Sequence, residues 1–179
     1  QLLGLPKRFT IFDSADSKKA VSDALKEAGY DTKQYEPRKI QAMISNQKGE
    51  LMTPEKYESS YAYHSYMGDV VAKVWKRYEK RLKEEGALDF DDLLLKTVQI
   101  LENNPEILKL YQNIWKYIHI DEYQDTNEVQ YKITKLLAEK HQNICVVGDI
   151  DQNIYSWRGA SIKNIMNFEK DYPNSTEIK

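Results

Sequence analysis

The chain has 179 residues, which is enough for one ordinary domain or for a domain with a small appendage. Hydrophobic residues make up 41% and charged residues 30% of it, a composition that is typical of a globular protein and excludes a disordered chain. No apolar run approaches the roughly 20 residues of a membrane-spanning helix, a single cysteine excludes an internal disulfide bond, and the net charge of -2 does not by itself indicate a nucleic-acid-binding protein.

Two helices are predicted near the start of the chain. Asp16 or Ser17 is expected to cap the first helix, and Gly29 is expected to end it. The apolar residues of this helix share one face: Ala20, Val21, Ala24, Leu25 and Ala28. Pro37 opens the second helix, and its inward positions are predicted to be Ile40, Met43 and Ile44.

A longer helical stretch follows and ends at Gly86. Thr53 is the expected N-cap, because Pro54 then occupies the first helical position. Apolar residues recur at helical spacing along this stretch: Tyr63, Met67, Val70, Val71, Val74, Tyr78 and Leu82. We interpret this aromatic-rich stripe as core packing rather than as a surface that stacks on nucleic-acid bases.

The second half of the chain has a different pattern. The acidic run 89–92 is predicted to cap a helix, since carboxylates stabilise the positive end of a helix. Two short apolar runs, 117–120 and 144–147, are separated by a helical pattern. Strand, helix and strand at this spacing predict a βαβ unit, and therefore an α/β fold with parallel strands. Cys145 lies in the second run and is predicted to be a buried strand residue without a redox role, which suits the reducing cytoplasm.

Both predicted strands end in acidic residues, Asp121-Glu122 after the first and Gly148-Asp149 after the second. Ligands of parallel α/β sheets bind beyond the carboxyl ends of the strands. An apolar strand that ends in Asp-Glu is the Walker B pattern of nucleotide hydrolases, in which the Asp holds Mg²⁺ and the Glu activates the attacking water. Acidic residues also cap strands without any catalytic role, so the pair alone leaves both interpretations open.

Three longer strings resemble one family, the UvrD-like (PcrA/Rep-type) superfamily 1 DNA helicases. Residues 121–127, DEYQDTN, resemble motif II of that family, and residues 148–160, GDIDQNIYSWRGA, resemble its motif III. Residues 88–94, LDFDDLL, match the segment with which the chain re-enters the motor core from a helical insertion. The strings occur in the family's order, so the resemblance covers essentially the whole chain.

The resemblance implies a role for each motif residue. Asp121 would bind Mg²⁺ and, with it, the nucleotide. Glu122 would be the catalytic base, and Gln152 would contact the γ-phosphate of ATP and the attacking water. Tyr155, Trp157 and Arg158 would contact DNA: the two aromatic residues by stacking on bases of the single strand, and Arg158 as part of the coupling between the DNA and nucleotide sites.

Each of these assignments has a structural alternative. Tyr155 and Trp157 could be core aromatics, and Arg158 could pair with an acidic residue of the same domain. Gln124 and Asp125, which complete motif II, are predicted to hold loops in place rather than to do chemistry. His119 is expected to be a packed, neutral histidine and not a metal ligand.

The resemblance also implies how the chain is organised. Residues 1–86 would be a helical insertion subdomain of the first motor domain, and residues 87–179 the later half of a RecA-like P-loop NTPase domain. The sequence contains no Gly-x-x-x-x-Gly-Lys-Ser/Thr loop, the motif that cradles phosphates. We therefore expect a fragment of a larger motor that is inactive alone.

The parent would be an ATP-dependent helicase that translocates 3′-to-5′ on single-stranded DNA and unwinds duplex DNA. Its expected ligands are ATP, Mg²⁺, and single-stranded and duplex DNA, and no membrane is expected among its partners. Two other interpretations remain at this point. One is a helicase-nuclease subunit of the AddA or RecB kind, and the other is a non-enzymatic module that binds DNA or protein.

Overall fold

The computed structural model describes residues 3–61, 65–152 and 160–178, and its fold is α/β, rich in helix with short parallel strands. The chain forms two compact units, an N-terminal unit (Gln1–Lys96) and a C-terminal unit (Thr97–Lys179). The domain boundary predicted at residues 86–87 lies earlier in the chain than this division, and the domain assignment itself stays a prediction. No helix in the described part of the chain is both long and apolar enough to cross a membrane.

The N-terminal unit is mainly helical. Its helices are α1 (Ser14–Glu27), α2 (Pro37–Gly49), α3 (Pro54–Tyr61) and α4 (Tyr66–Glu84), and α5 (Phe90–Asn103) begins in it. Strands β1 (Thr10–Phe12) and β2 (Ala87–Asp89) pair in parallel, with Thr10 opposite Ala87 and Phe12 opposite Asp89. This strand pair was not predicted, because each strand has only three residues and shows no periodicity of its own.

The apolar faces predicted from helical spacing form the core of this unit. Val70, Val71, Val74, Tyr78 and Leu82 of α4 are all buried, as predicted. Two of the predicted core residues are not, since Met43 is 37% exposed and Met67 is 41% exposed. In α2 the buried face runs through Ile40, Ile44 and Lys48, a narrow stripe at four-residue spacing that leaves Met43 at its margin.

One predicted helix start was wrong, and one predicted helix is divided in two, although its predicted start at Pro54 is confirmed. The side chain of Asp13, and not that of Asp16 or Ser17, caps α1, because its carboxylate accepts hydrogen bonds from the backbone N–H groups of Ala15 (2.7 Å) and Asp16 (2.9 Å). Asp16 is the reciprocal partner in this capping box. The helical stretch predicted from Thr53 is divided into α3 and α4, and α4 begins after its own cap, Ser65. Tyr63 lies outside the described residues.

Lys48 forms a buried ionic cluster that the sequence analysis missed. Its side chain is 1% exposed, and its ammonium group contacts three carboxylates, those of Glu79 (2.7 Å), Asp89 (2.8 Å) and Asp92 (2.9 Å). The hydroxyl of Tyr78 also donates to Asp89, at 2.8 Å. Asp89 and Asp92 cap the start of α5 reciprocally, since each side chain accepts from the other's backbone N–H (2.7 and 3.3 Å). The cluster therefore joins α2 and α4 to the beginning of α5.

The cluster has one cation for three acids, and the pKa values reflect this imbalance. Burial lowers the pKa of Lys48, but the three carboxylates outweigh it and hold that pKa well above the ordinary value. Burial raises the pKa of Asp92 to about 6, because the attraction of Lys48 does not compensate for desolvation and for repulsion by Glu79 and Asp89. Lys48 is therefore a cation, and its charge holds the three carboxylates together.

The C-terminal unit contains the predicted βαβ arrangement. Its elements are α6 (Pro105–Ile114), β3 (Ile118–Ile120), α7 (Glu128–Ala138), β4 (Ile144–Val146), α8 (Ile162–Met166) and α9 (Phe168–Asp171). Strands β3 and β4 pair in parallel, with Ile118 opposite Ile144 and Ile120 opposite Val146. The predicted strands and the helix between them are thus confirmed.

Two side chains in these strands are exposed, although the sequence analysis predicted that both are packed in the interior. His119 in β3 and Cys145 in β4 are paired in the strand register, and both are exposed rather than packed in a core. The flanking residues Ile118, Ile120, Ile144 and Val146 are partly buried. The alternation follows from the two-residue period of a strand, which places His119 and Cys145 together on the opposite face from their neighbours.

Candidate functional site

Asp121-Glu122 and Gly148-Asp149 lie side by side at the carboxyl ends of β3 and β4. The ladder between the strands continues past their ends, since Val147 donates its backbone N–H to the carbonyl of Ile120 at 2.8 Å. Tyr123 in turn donates its backbone N–H to the carbonyl of Val147 at 2.9 Å. Asp121-Glu122 and Gly148-Asp149 therefore leave the same edge of the sheet together, where parallel α/β sheets bind their ligands.

The backbone of Glu122 has an unusual conformation. Its φ of 51° and ψ of 42° are in the left-handed region, which costs a residue other than glycine about 1–2 kcal/mol. The preceding Asp121 supports the turn, because its Oδ1 accepts a hydrogen bond from the backbone N–H of Glu122 at 3.0 Å. Backbone strain of this kind is concentrated at functional sites, where the surrounding structure holds it in place.

Gln124 links the two acidic segments. It lies in the short 3-10 turn Tyr123–Asp125 and is fully buried, at 0% exposure. Its side-chain Nε2 donates to the Oε2 atom of Glu122 at 2.7 Å, and its Oε1 accepts from the backbone N–H of Asp149 at 3.0 Å. The sequence analysis predicted that Gln124 holds loops in place, but it did not identify the two groups that this amide joins.

Asp149 organises the turn that carries Gln152. Its carboxylate accepts a hydrogen bond from the Gln152 side-chain amide at 2.8 Å and another from the backbone N–H of Asp151 at 2.9 Å. These two bonds, the Gln152 bond first, lower the pKa of Asp149 below its ordinary value because they stabilise the ionised form. The turn therefore presents Gln152 beside an anionic Asp149.

A second anchor holds the chain after motif III against motif II. The buried side chain of Asn164, in α8, donates to the backbone carbonyl of Thr126 at 3.0 Å and lies 3.2 Å from its hydroxyl. The backbone N–H of Ser161 donates to the same carbonyl at 2.9 Å. The sequence analysis did not identify Asn164, because nothing in the local pattern distinguishes a buried asparagine from an exposed one.

The exposed carboxylates of Asp121 and Glu122 suit a magnesium ion. Mg²⁺ prefers oxygen ligands and is usually bound by one or two carboxylates together with substrate phosphates and water. Asp121 and Glu122 are both exposed at the strand end, so their oxygens are accessible to such a ligand. Within the described residues no group of three metal-ligating side chains occurs, and a magnesium ion at this position would complete its coordination with phosphate oxygens.

The structure thus brings Asp121, Glu122 and Gln152 to one edge of the sheet. The other predicted site residues, Tyr155, Trp157 and Arg158, lie outside the described residues, and their roles stay predictions.

Comparison with known proteins indicates the same class of protein along nearly the whole chain. Residues 1–173 match the family described as the UvrD/REP helicase N-terminal domain. The chain is 50% identical over 177 residues to the ATP-dependent DNA helicase PcrA of Staphylococcus aureus, an alignment that covers 98% of this chain. It has the same identity and coverage to the protein of that name from Staphylococcus epidermidis. The chain spans 24% of the length of these relatives.

Proposed function

Because the chain belongs to the UvrD/REP helicase N-terminal domain family, we propose that it is part of the motor of an ATP-dependent DNA helicase. The parent protein hydrolyses ATP, moves 3′-to-5′ along single-stranded DNA and separates the strands of a duplex. The observation that carries this proposal is the direct link, through Gln124, between Glu122 of motif II and the motif III turn that presents Gln152. We propose the cytoplasm as the place where the parent protein works.

In this proposal each residue at the strand ends has one task in ATP hydrolysis. Asp121 binds Mg²⁺, which neutralises charge on the phosphates and holds them in place when it is bound. Glu122 takes the proton of the water whose oxygen bonds to the γ-phosphorus while the bond to the β-phosphate oxygen breaks. Gln152 contacts the γ-phosphate and this water. In the structure the Gln152 amide donates to the Asp149 carboxylate. When ATP binds, it would donate to the γ-phosphate instead.

We further propose that residues 1–86 form the helical insertion subdomain and residues 87–179 part of the RecA-like ATPase domain. The chain alone is expected to show no Mg²⁺-dependent ATPase activity, with or without single-stranded DNA, because its sequence contains no phosphate-binding loop. A phosphate-release assay on the purified chain measures this ATPase activity. Turnover that disappears in the Glu122→Gln variant would contradict the expectation, because a contaminating ATPase does not respond to that substitution.

The DNA contacts belong to Tyr155, Trp157 and Arg158 in this proposal. In the full-length protein, Trp157→Ala is expected to weaken binding to single-stranded DNA by about 1–3 kcal/mol, the usual contribution of one stacked base. If Trp157 is a stacking platform, the melting temperature should barely change, because removal of its side chain then leaves no cavity. A fluorescence titration with labelled oligonucleotide and a thermal denaturation of the same variant measure the two quantities.

Trp75 provides the matched control for this experiment. It is fully buried in the N-terminal unit, so Trp75→Ala should destabilise the protein by about 3–5 kcal/mol and leave the DNA affinity of the folded fraction unchanged. If Trp157→Ala behaves like Trp75→Ala, then Trp157 is a core residue and not a stacking platform.

A further inference from the structure

The side chain of Gln124 fits its surroundings closely. A Cβ atom at position 148 would lie 2.6 Å from Gln124 Oε1 and 2.9 Å from Ile165 Cδ1, so only glycine leaves room for the amide there. The amide fills this space with its donor toward the Glu122 carboxylate and its acceptor toward the Asp149 N–H. The reverse orientation would point an acceptor at a carboxylate and a donor at an N–H, so the two partners determine which way the amide points.

These contacts continue from Asp149 to Gln152. The Asp149 backbone is held by Gln124, and the Asp149 carboxylate holds the Gln152 side chain. Hydrogen bonds through four residues, Glu122, Gln124, Asp149 and Gln152, therefore join the catalytic base of motif II to the residue that is expected to contact the γ-phosphate. Gln124 is the only one of the four that is fully buried, so it is the member whose position water does not perturb.

We propose that Gln124 is a positioning residue for ATP hydrolysis, which aims the Glu122 carboxylate and couples it to the motif III turn that carries Gln152. This inference rests on the proposed function. The bond from Nε2 fixes the side chain of Glu122, which is otherwise exposed. A misplacement of about 1 Å in such a group costs up to about 10²-fold in rate.

The test replaces Gln124 by Glu in the full-length protein. The new side chain has nearly the same shape and can still accept from the Asp149 N–H, but when ionised it repels Glu122 instead of donating to it. We expect kcat for DNA-stimulated ATP hydrolysis to fall about 10–100-fold at pH 8, with the KM for ATP nearly unchanged. A loss of kcat at constant KM distinguishes a misplaced base from weaker ATP binding.

Gln112 provides a matched control. It is also buried, and its Nε2 donates to the Leu136 carbonyl at 2.8 Å, which joins α6 to α7. Gln112→Glu makes the same chemical change away from the strand ends, so kcat per folded molecule should match the wild type. Gln124→Met, which neither donates nor accepts, should also lower kcat at constant KM.

The outcomes separate the inference from the proposed function. Wild-type kcat in Gln124→Glu, or a higher KM with unchanged kcat, would overturn the positioning role even if Glu122→Gln remains inactive. An active Glu122→Gln variant would instead overturn the proposed function. If Gln124→Glu does not fold, Gln124→Met decides the question: reduced kcat at constant KM supports the inference, and wild-type kcat contradicts it.

Discussion

Replacement of Glu122 by Gln in the full-length protein is expected to lower kcat for ATP hydrolysis by about 10²–10⁴, the usual contribution of a positioned general base. Nucleotide affinity should remain, because the amide has the shape of the carboxylate and lacks only the ability to take a proton. Asp121→Ala should instead weaken Mg²⁺-dependent nucleotide binding as well. Steady-state ATPase assays and equilibrium nucleotide binding distinguish the two effects.

A control for this pair of variants is Glu139→Gln. Glu139 is exposed at the C-terminal end of α7, and the same chemical change there should leave both kcat and nucleotide affinity unaltered. If Glu122→Gln and Asp121→Ala both lost affinity and kept kcat, the assignment of the base and the metal ligand would be wrong.

Lys48→Met should have the largest effect on stability. Methionine has a similar volume, but it leaves Asp89, Asp92 and Glu79 without their shared cation. Removal of one partner from a buried ion pair typically costs about 3–5 kcal/mol, and here three acids lose the same partner. Urea denaturation followed by tryptophan fluorescence, to which the buried Trp75 contributes, measures the free energy of unfolding.

The control for Lys48 is Lys73, whose ammonium pairs with Asp69 at 2.6 Å on the exposed surface of α4. Lys73→Met should change the stability very little, because solvent screens exposed ion pairs. An equal loss of stability in both variants would show that burial does not increase the contribution of the Lys48 cluster.

The pH dependence gives a second measurement on the same cluster. The pKa of Asp92 in the folded protein, about 6, is above its ordinary value of 3.8, so the folded state binds a proton more tightly than the unfolded state does. The contribution of this group to stability is therefore fully present below pH 4 and is lost as the pH rises through 6. Asp92→Asn should remove this decrease of stability with rising pH. The loss of stability caused by Lys48→Met should be smallest at low pH, because protonated carboxyls carry no charge that Lys48 would neutralise.

Local sequence patterns predicted much of the fold correctly. The buried stripe of α4 and the β3-α7-β4 unit follow from spacing over a few residues, since a helix repeats every 3.6 residues and a strand every two. The position of Asp121, Glu122, Asp149 and Gln152 at one edge of the sheet follows as well. Asp121-Glu122 and Gly148-Asp149 each follow an apolar strand, and parallel strands end on the same side.

The burial of individual residues was predicted less well than the elements that contain them. Cys145 was expected in the core because its flanking residues are apolar, but alternation along β4 places it on the exposed face. Lys48 follows Ile40 and Ile44 at four-residue spacing, so helical periodicity alone could have placed it in the core. The reason that a lysine is tolerated there is absent from the local pattern, because its acidic partners Asp89 and Asp92 are 41 and 44 residues away.

The sequence by itself determined the class of protein, the parallel strand pair and the residue types at its carboxyl edge, because each of these depends on short strings of neighbouring residues. Only the tertiary structure decided which buried polar groups meet. Gln124 reaches Asp149 across 25 residues, and Asn164 reaches Thr126 across 38. Periodicity predicts that a position is buried, but a buried polar group is stable only with a hydrogen-bonding partner, and the folded chain alone determines which partner is within reach.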